Sequence, residues 1–316
     1  MHIKKGCSHA LASALLLSGL CIGSPSRAQA EVAVAPRRIL FAGSSSTYFN
    51  DMPLQVAELL SAHAGMPAKA ILAGRSGSGI HVYLRDGYDD YEYGVPRGST
   101  FLDVVRDGDF DYVVLMAVAQ FITGEDGEEH GAAIDTYCRA ARDAGSEPVI
   151  YEMGWRRSDR EELGRKKILE AAVRNGVRVY VPCSSAWARV YRERPDLLLQ
   201  DPPDTAHPGA LGCYLNLCCF VRAFSGKSAE GLPATVRDWA PMDDAAKQRV
   251  GEERKRNPPS DPYVKALPGW MQTRSMGSES IAIDPEVAAY LQQVADQACD
   301  DAEAALKTKA KQQAEQ

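Results

Sequence analysis

The chain has 316 residues, of which 36 are Lys or Arg and 42 are Asp or Glu, so its formal net charge is −6. This length suits one large domain or two ordinary ones. The acidic balance disfavours nucleic acid or an anionic membrane as a partner. Beyond the first thirty residues no stretch is apolar for long enough to predict a transmembrane helix.

The first thirty residues have the pattern of an export signal. Lys4 and Lys5 form a basic start, residues 10–22 are an apolar run too short to span a bilayer, and residues 28–30 form a small-x-small cleavage site. Cleavage would remove Lys4, Lys5 and Arg27 and make the net charge three units more negative. We therefore predict a periplasmic or extracellular protein, with retention of the run as an anchor as the alternative.

Five short apolar runs alternate with segments of helical periodicity. This pattern predicts an α/β fold of three layers, α/β/α, in which helices cover both faces of a mostly parallel five-stranded sheet. The predicted strands are residues 38–42, 68–73, 112–117, 148–152 and 178–182. The predicted helices are residues 52–63, 132–144 and 161–175, one from about residue 211, and one along an apolar stripe at residues 287–298.

Three segments depart from this alternation. Residues 83–99, between the second and third strands, are rich in Tyr, Asp and Gly. Residues 239–280 are charged and Pro-rich, which predicts a surface insertion with a helix at 243–256 rather than a second core. Residues 307–316 are predicted to be a flexible tail. A single domain over residues 31–306 follows.

Two distant motifs carry groups suited to nucleophilic catalysis. Ser45 lies in a Ser/Thr-rich turn at the end of the first strand, where functional groups collect in open α/β sheets. Asp204 and His207 lie three residues apart just before a helix, so one turn can direct a carboxylate and an imidazole to the same place. Together they can supply a nucleophile, a base and an anion that orients the base.

Each motif has other interpretations. The Ser-rich turn at residues 43–47 could cap the next helix or cradle a phosphate, as in a flavodoxin-like nucleotide protein. The Asp204–His207 pair could be half of a metal site, but no other His or Cys cluster supplies the remaining ligands. A nucleotide protein would also leave Asp204 and His207 without a function. No metal is therefore predicted.

Residues 39–53, ILFAGSSSTYFNDMP, resemble the first block of the SGNH (GDSL-type) hydrolases, and this alignment puts Ser45 at the catalytic serine. Asp204, His207 and Pro208 match the last block, Asp-x-x-His-Pro. The resemblance covers about residues 38–233 and resumes over the final helix. It implies the flavodoxin-like SGNH hydrolase fold and acyl transfer by Ser45, His207 and Asp204, with no metal or organic cofactor.

The resemblance also implies an oxyanion hole made of the Ser45 N–H, the Gly77 N–H and the Gln120 amide, although Gly74 and Gly79 compete with Gly77. The chain departs from the family pattern at three positions. Ser44 stands where Asp or Asn is usual, and Val118 and Gln120 replace the Gly and Asn of a Gly-x-Asn motif. A plain surface amide is an equal interpretation of Gln120.

The sequence indicates a class of substrate and not a particular compound. Many relatives in this family remove acetyl groups from carbohydrates, so the resemblance implies a secreted esterase for small acyl groups on a carbohydrate. Ser44, Tyr83 and Trp155 are candidate substrate contacts, because aromatic rings stack on sugars; alternatively the tyrosines of residues 83–93 anchor a loop. A catalytically weakened protein that binds carbohydrate or another ligand is the alternative function.

Six cysteines follow the predicted signal, and no pair has CxxC spacing. An oxidising compartment permits a disulfide, for example one that involves Cys138 or Cys299, but the sequence does not give a pairing. Oligomeric state is likewise left open.

Overall fold

The computed structural model describes residues 35–86, 94–96, 98–154, 159–201, 206–239 and 242–315. The predicted export signal lies outside these ranges, and so does the proposed cleavage site. Within them, no helix combines the length and the apolar character needed to cross a bilayer.

The central sheet has five parallel strands in the order β2-β1-β3-β4-β5. Its register pairs Gly43 with Gly74 and Val118 with Met153, so the carboxyl ends of four strands meet along one edge. A separate antiparallel pair, β6 and β7, flanks the segment predicted to be an insertion. The strands are β1 (Arg37–Gly43), β2 (Ala68–Gly74), β3 (Tyr112–Val118), β4 (Glu147–Met153), β5 (Val179–Val181), β6 (Thr235–Asp238) and β7 (Glu279–Ala282).

Helices connect the strands and cover both faces of the sheet. Several begin at side chains that accept hydrogen bonds from free backbone N–H groups, such as Thr100, which forms a capping box with Asp103. The helices are α1 (Ser45–Tyr48), α2 (Met52–Leu59), α3 (Ile80–Asp86), α4 (Phe101–Asp107), α5 (Ala119–Ile122), α6 (Gly127–Asp143), α7 (Asp159–Arg174), α8 (Cys183–Glu193), α9 (Ala210–Ser225), α10 (Asp244–Arg256), α11 (Pro262–Ala266), α12 (Gly269–Met276) and α13 (Pro285–Ala314).

Strand β1 shows why the sheet needs two helical layers. Ile39 and Phe41 belong to one hydrophobic core and Leu40 and Ala42 to the other, and all four are fully buried. Helices α2, α8, α9 and α13 contribute to the first core, and α3, α4, α6 and α7 to the second. The prediction of a three-layer α/β/α fold with a five-stranded parallel sheet is confirmed.

The segment predicted to be a surface insertion packs closely on the first core. Its helix α10 confirms the helix predicted at residues 243–256. Trp239, Tyr263 and Met271 are buried among the residues of the first core. Thus the segment between β6 and β7 is fixed to the body of the domain by apolar contacts.

Two local predictions are wrong. Residues 83–86, predicted to lie in an irregular segment, belong to helix α3. The tail predicted at residues 307–316 continues helix α13 as far as Ala314. Its Lys, Ala, Gln and Glu residues are strong helix formers, and extending an existing helix adds one hydrogen bond for each residue ordered and needs no new nucleation. Lys309 also pairs with Glu170 of α7 at 3.2 Å.

The six cysteines of the described residues are buried and take part in no disulfide. Burial raises the pKa of Cys138 to about 12. These thiols therefore behave as small apolar side chains in the two cores.

Candidate active site

The turn after β1 exposes one of its hydroxyl groups. Ser44, Ser46 and Thr47 are buried, whereas Ser45 is only partly buried. The turn is tight, because a Cβ on Gly43 would lie 2.1 Å from Thr47 Oγ1. Ser44 is the N-cap residue that precedes α1, but its side chain makes no capping hydrogen bond, so helix capping does not account for this serine.

Ser45 meets the imidazole predicted from the distant motif. Its Oγ lies 2.8 Å from Nε2 of His207, 162 residues further along the chain. With Nε2 unprotonated, the hydroxyl donates to the ring nitrogen, which is the geometry of a nucleophile and its general base. The structure therefore brings together the two side chains on which nucleophilic catalysis would depend.

The backbone around His207 is held to the preceding segment. The Asp201 N–H donates to the His207 carbonyl, and the Gly209 N–H donates to the Leu199 carbonyl, both at 2.8 Å. A Cβ on Gly209 would lie 2.7 Å from the Gln200 carbonyl oxygen, so this close approach requires glycine. The turn leads directly into α9, as the sequence predicts.

The His207 ring lies on an aromatic surface. It stacks on Phe49, with ring centroids 4.4 Å apart and planes 13° apart. Phe49 is itself buried and contacts the Trp239 ring at 5.0 Å between centroids. No sequence motif predicted a role for Phe49.

Phe49 begins a turn of unusual conformation. Asn50 and Asp51 have φ values of 58° and 52°, in the left-handed region that few residues other than glycine adopt. The buried Asp51 carboxylate accepts hydrogen bonds from the Ser275 hydroxyl and, at 3.3 Å, from the Trp239 indole N–H. Burial raises the pKa of Asp51, and these hydrogen bonds partly oppose that effect.

Two predicted site residues lie outside the described residues. Asp204, predicted to orient His207, is one, and Trp155, a candidate substrate contact, is the other. Both assignments stay predictions.

Tyr83 and Ser44 do not fit the predicted role of substrate contacts. Tyr83 is 1% exposed, and its hydroxyl donates to the Gly43 carbonyl at 2.6 Å and accepts from the Arg75 N–H at 2.8 Å. It therefore ties the ends of β1 and β2 together and offers no open ring face to a sugar. Ser44 is also buried, with its Oγ 3.9 Å from the sulfur of Met116.

Of the three glycines predicted as candidates for the oxyanion hole, Gly77 has a positive φ of 69°, and a Cβ there would meet no atom of the described residues within 4 Å. Gly74 and Gly79 are packed instead, against Tyr48 and against His81 respectively. Gly77 thus lies in a turn just after β2, the strand that pairs with β1, and its role as an oxyanion donor stays a prediction.

Gln120 is near the start of α5, just after β3. Its amide nitrogen donates to the buried Glu161 carboxylate of α7 at 2.5 Å. One N–H of this amide is therefore already engaged, and an oxyanion contact would use the second. The role of Gln120 in the oxyanion hole stays a prediction.

A buried histidine pair, not assigned by the sequence analysis, links the segments that carry Gly77 and Gln120. The Nδ1 atoms of His81 and His130 lie 3.0 Å apart. The Val118 N–H donates to His130 Nε2 at 3.2 Å, so His130 carries its proton on Nδ1 and donates it to His81. His81 then points its own N–H at Asp126, 3.5 Å away.

Burial, and secondarily His81, lowers the pKa of His130 to about 3.

Among known proteins, similarity to this chain is found with solved structures, at low sequence identity. No protein-family model and no curated protein matches the chain. Solved structures similar to this one include a protein from Slackia heliotrinireducens described as a candidate SGNH hydrolase, with 21% identity and a TM-score of 0.48 over 60% of this chain and 100% of the other.

Two further structures extend the comparison. An acetylxylan esterase from Geobacillus stearothermophilus has 12% identity and a TM-score of 0.41 over 60% of this chain and 94% of the other. A protein named TesA has 13% identity and a TM-score of 0.43 over 61% of this chain and 99% of the other. The three structures share between 12% and 21% sequence identity with this chain.

Proposed function

We propose that the protein is a serine hydrolase that cleaves carboxylic esters. The observation that carries the proposal is the 2.8 Å contact between Ser45 Oγ and His207 Nε2 at the carboxyl edge of the sheet. This pairing supplies a hydroxyl nucleophile and an imidazole base within hydrogen-bonding distance of it.

The reaction proceeds by two acyl transfers. His207 takes the proton from Ser45 as its oxygen attacks the ester carbonyl, and the N–H groups of Ser45 and Gly77 stabilise the negative charge that develops. His207 then gives the proton to the departing alcohol. A water molecule, deprotonated by His207, releases the acid from the acyl-enzyme. Asp204 orients the imidazole, and Gln120 is the third oxyanion donor.

The substrate we propose is a small acyl ester, acetyl above all, on a carbohydrate outside the cytoplasm. The support is the motif resemblance and the predicted export signal at residues 1–30. A panel of acetylated sugars and of esters from short to long acyl chains separates this substrate class from lipid esters. Hydrolysis confined to long-chain esters would contradict it.

Ser45→Ala is expected to abolish both hydrolysis of an aryl acetate and covalent labelling by a fluorophosphonate. Ser46→Ala is the matched control, because Ser46 is the next residue along the chain and is buried. The control is expected to keep activity within about twofold. Equal activity in wild type and Ser45→Ala would contradict the proposal.

A ligand-binding protein with weakened catalysis is the second candidate. It is favoured by one observation, the engagement of the Gln120 amide by Glu161. Loss of a single oxyanion donor typically lowers turnover by about 10²–10³. A folded wild-type protein that neither labels nor turns over, yet binds an acetylated oligosaccharide, would establish this second function.

A further inference from the structure

We propose that the segment between β6 and β7 positions the catalytic base, with Arg274 and Trp239 holding the Phe49–Asp51 turn against His207. The proposal rests on the function proposed above, since it concerns the reactivity of the same serine and histidine. The proposal gives a function to the segment between β6 and β7, which is not needed to build the central sheet or the helices that cover it.

The turn holds the catalytic histidine at two points. The Phe49 ring stacks on the imidazole, and the Asn50 side-chain amide donates to the carbonyl oxygen of Pro208 at 3.0 Å. One contact fixes the plane of the ring, and the other fixes the backbone immediately after His207. Because α1 connects Ser45 to this turn, the same short segment places the nucleophile and the support of its base.

The segment between β6 and β7 contacts the Phe49–Asp51 turn and holds it in place. The Trp239 N–H donates to Asn50 Oδ1 at 2.8 Å, and the Ser275 hydroxyl donates to the Asp51 carboxylate at 2.7 Å.

Arg274 lies with its Cζ atom 5.1 Å from the centroid of the Phe49 ring. Its guanidinium donates to the Trp239 carbonyl at 2.8 Å. The contacts therefore run in a closed circuit from His207 through Phe49, Arg274, Trp239 and Asn50 back to Pro208.

The backbone conformation points the same way. Two consecutive non-glycine residues, Asn50 and Asp51, have left-handed φ values, and such residues persist where the surroundings over-determine them. Here the contacts come from Trp239, 189 positions beyond Asn50, and from Ser275, 224 positions beyond Asp51. Non-glycine residues with left-handed φ values cluster at functional sites. A misplacement of about 1 Å in a catalytic group can lower the rate by about 10².

The test uses the full-length chain and an aryl acetate. Phe49→Leu removes the stacked ring and Arg274→Gln removes the cation above it; both are expected to lower kcat by about tenfold or more while KM stays within about twofold. Phe49→Tyr and Arg274→Lys, which keep the ring and the cation, are expected to restore most of kcat. Arg256→Gln, on the exposed side of α10 and paired with Glu253, is the control in the same insertion.

A second measurement distinguishes positioning from bracing of the fold. Each kcat is referred to the folded fraction, measured by circular dichroism at the assay temperature. The downfield proton NMR signal of the hydrogen-bonded His207 imidazole N–H is expected to weaken in Phe49→Leu and in Arg274→Gln. The same signal is expected to persist in Arg256→Gln. An unchanged kcat per folded molecule, or a rise in KM alone, would overturn the proposal.

Failure of this inference is distinguishable from failure of the proposed function. If wild type is inactive and unlabelled by the fluorophosphonate at Ser45, the proposed function fails. If wild type is active and labelled but the Phe49 and Arg274 variants match it, the esterase stands and the positioning role of the insertion is refuted.

Discussion

At the scale of single residues, burial separates the candidate nucleophile from its neighbours. The motif alone leaves four consecutive hydroxyl side chains from Ser44 to Thr47. The fold buries three of them and directs Ser45 to His207 Nε2. The resemblance to the SGNH hydrolases predicts the same serine as the nucleophile, and its catalytic role stays a prediction.

Phe49 shows what the motif could not give. Its ring stacks on His207 and contacts Trp239 and Arg274, and no local sequence pattern reports these contacts. A weak signal was present, because Asn50 and Asp51 are residue types that tolerate a left-handed turn and Pro53 lies in the first turn of α2. That signal predicts a turn but not what the turn supports.

Gln120 gives the prediction at this scale. If its second amide N–H binds the oxyanion, Gln120→Ala is expected to lower kcat by about 10² with little change in KM, because the contact strengthens only as charge develops. Steady-state kinetics with an aryl acetate measures this. A change in kcat of less than about threefold would restrict Gln120 to its structural contact with Glu161.

At the scale of secondary-structure elements, the sheet was predictable and the ends of the helices were not. Each strand is a short apolar run, because a parallel strand is buried on both faces and has little room for polar side chains. The end of α13 was missed because flexibility was inferred from polar composition, although the same Lys, Ala and Gln residues favour a helix.

Helix α13 yields a prediction that compares its two halves. Leu291 is fully buried in the first core, whereas Lys309 makes an exposed ion pair with Glu170. Leu291→Ala is expected to lower the free energy of unfolding by about 2–5 kcal/mol, and Lys309→Ala by less than about 1 kcal/mol. Urea denaturation followed by circular dichroism measures both. Equal losses would contradict the assignment of α13 to the core.

At the scale of the whole molecule, the site depends on contacts between segments far apart in the chain. Ser45 and His207 were paired by motif, but the links of Asn50 to Trp239 and of His81 to His130 were not predicted. Sequence periodicity reports which face of an element is buried. It does not report which polar groups meet across the core, and this limited the site prediction to its motif residues.

The buried histidines predict a loss of stability in acid. An unfolded histidine has a pKa near 6.5, whereas burial lowers the pKa of His130 to about 3 and also lowers that of His81. Below about pH 6.5 the unfolded chain binds protons that the folded chain does not, so stability falls as the pH falls from about 6.5 towards 3. At pH 4.5 His130 alone contributes about 2–3 kcal/mol to this loss.

The measurement is the free energy of unfolding in urea between pH 7 and pH 4.5. His130→Gln is expected to have a shallower dependence on pH than wild type, whatever its stability at pH 7. His63→Gln, at an exposed histidine, is the matched control and is expected to keep the wild-type slope. A wild-type slope in His130→Gln would show that another group dominates the acid response.

The central claim is that His207 activates Ser45 for attack on an ester. Its most direct test is to label the protein with a fluorophosphonate and identify the modified peptide by mass spectrometry, in wild type and in His207→Ala. The account predicts one adduct, on Ser45 in wild type, formed at least about 10³ times more slowly without the imidazole. An adduct on another residue, or equal rates in the two proteins, would contradict it.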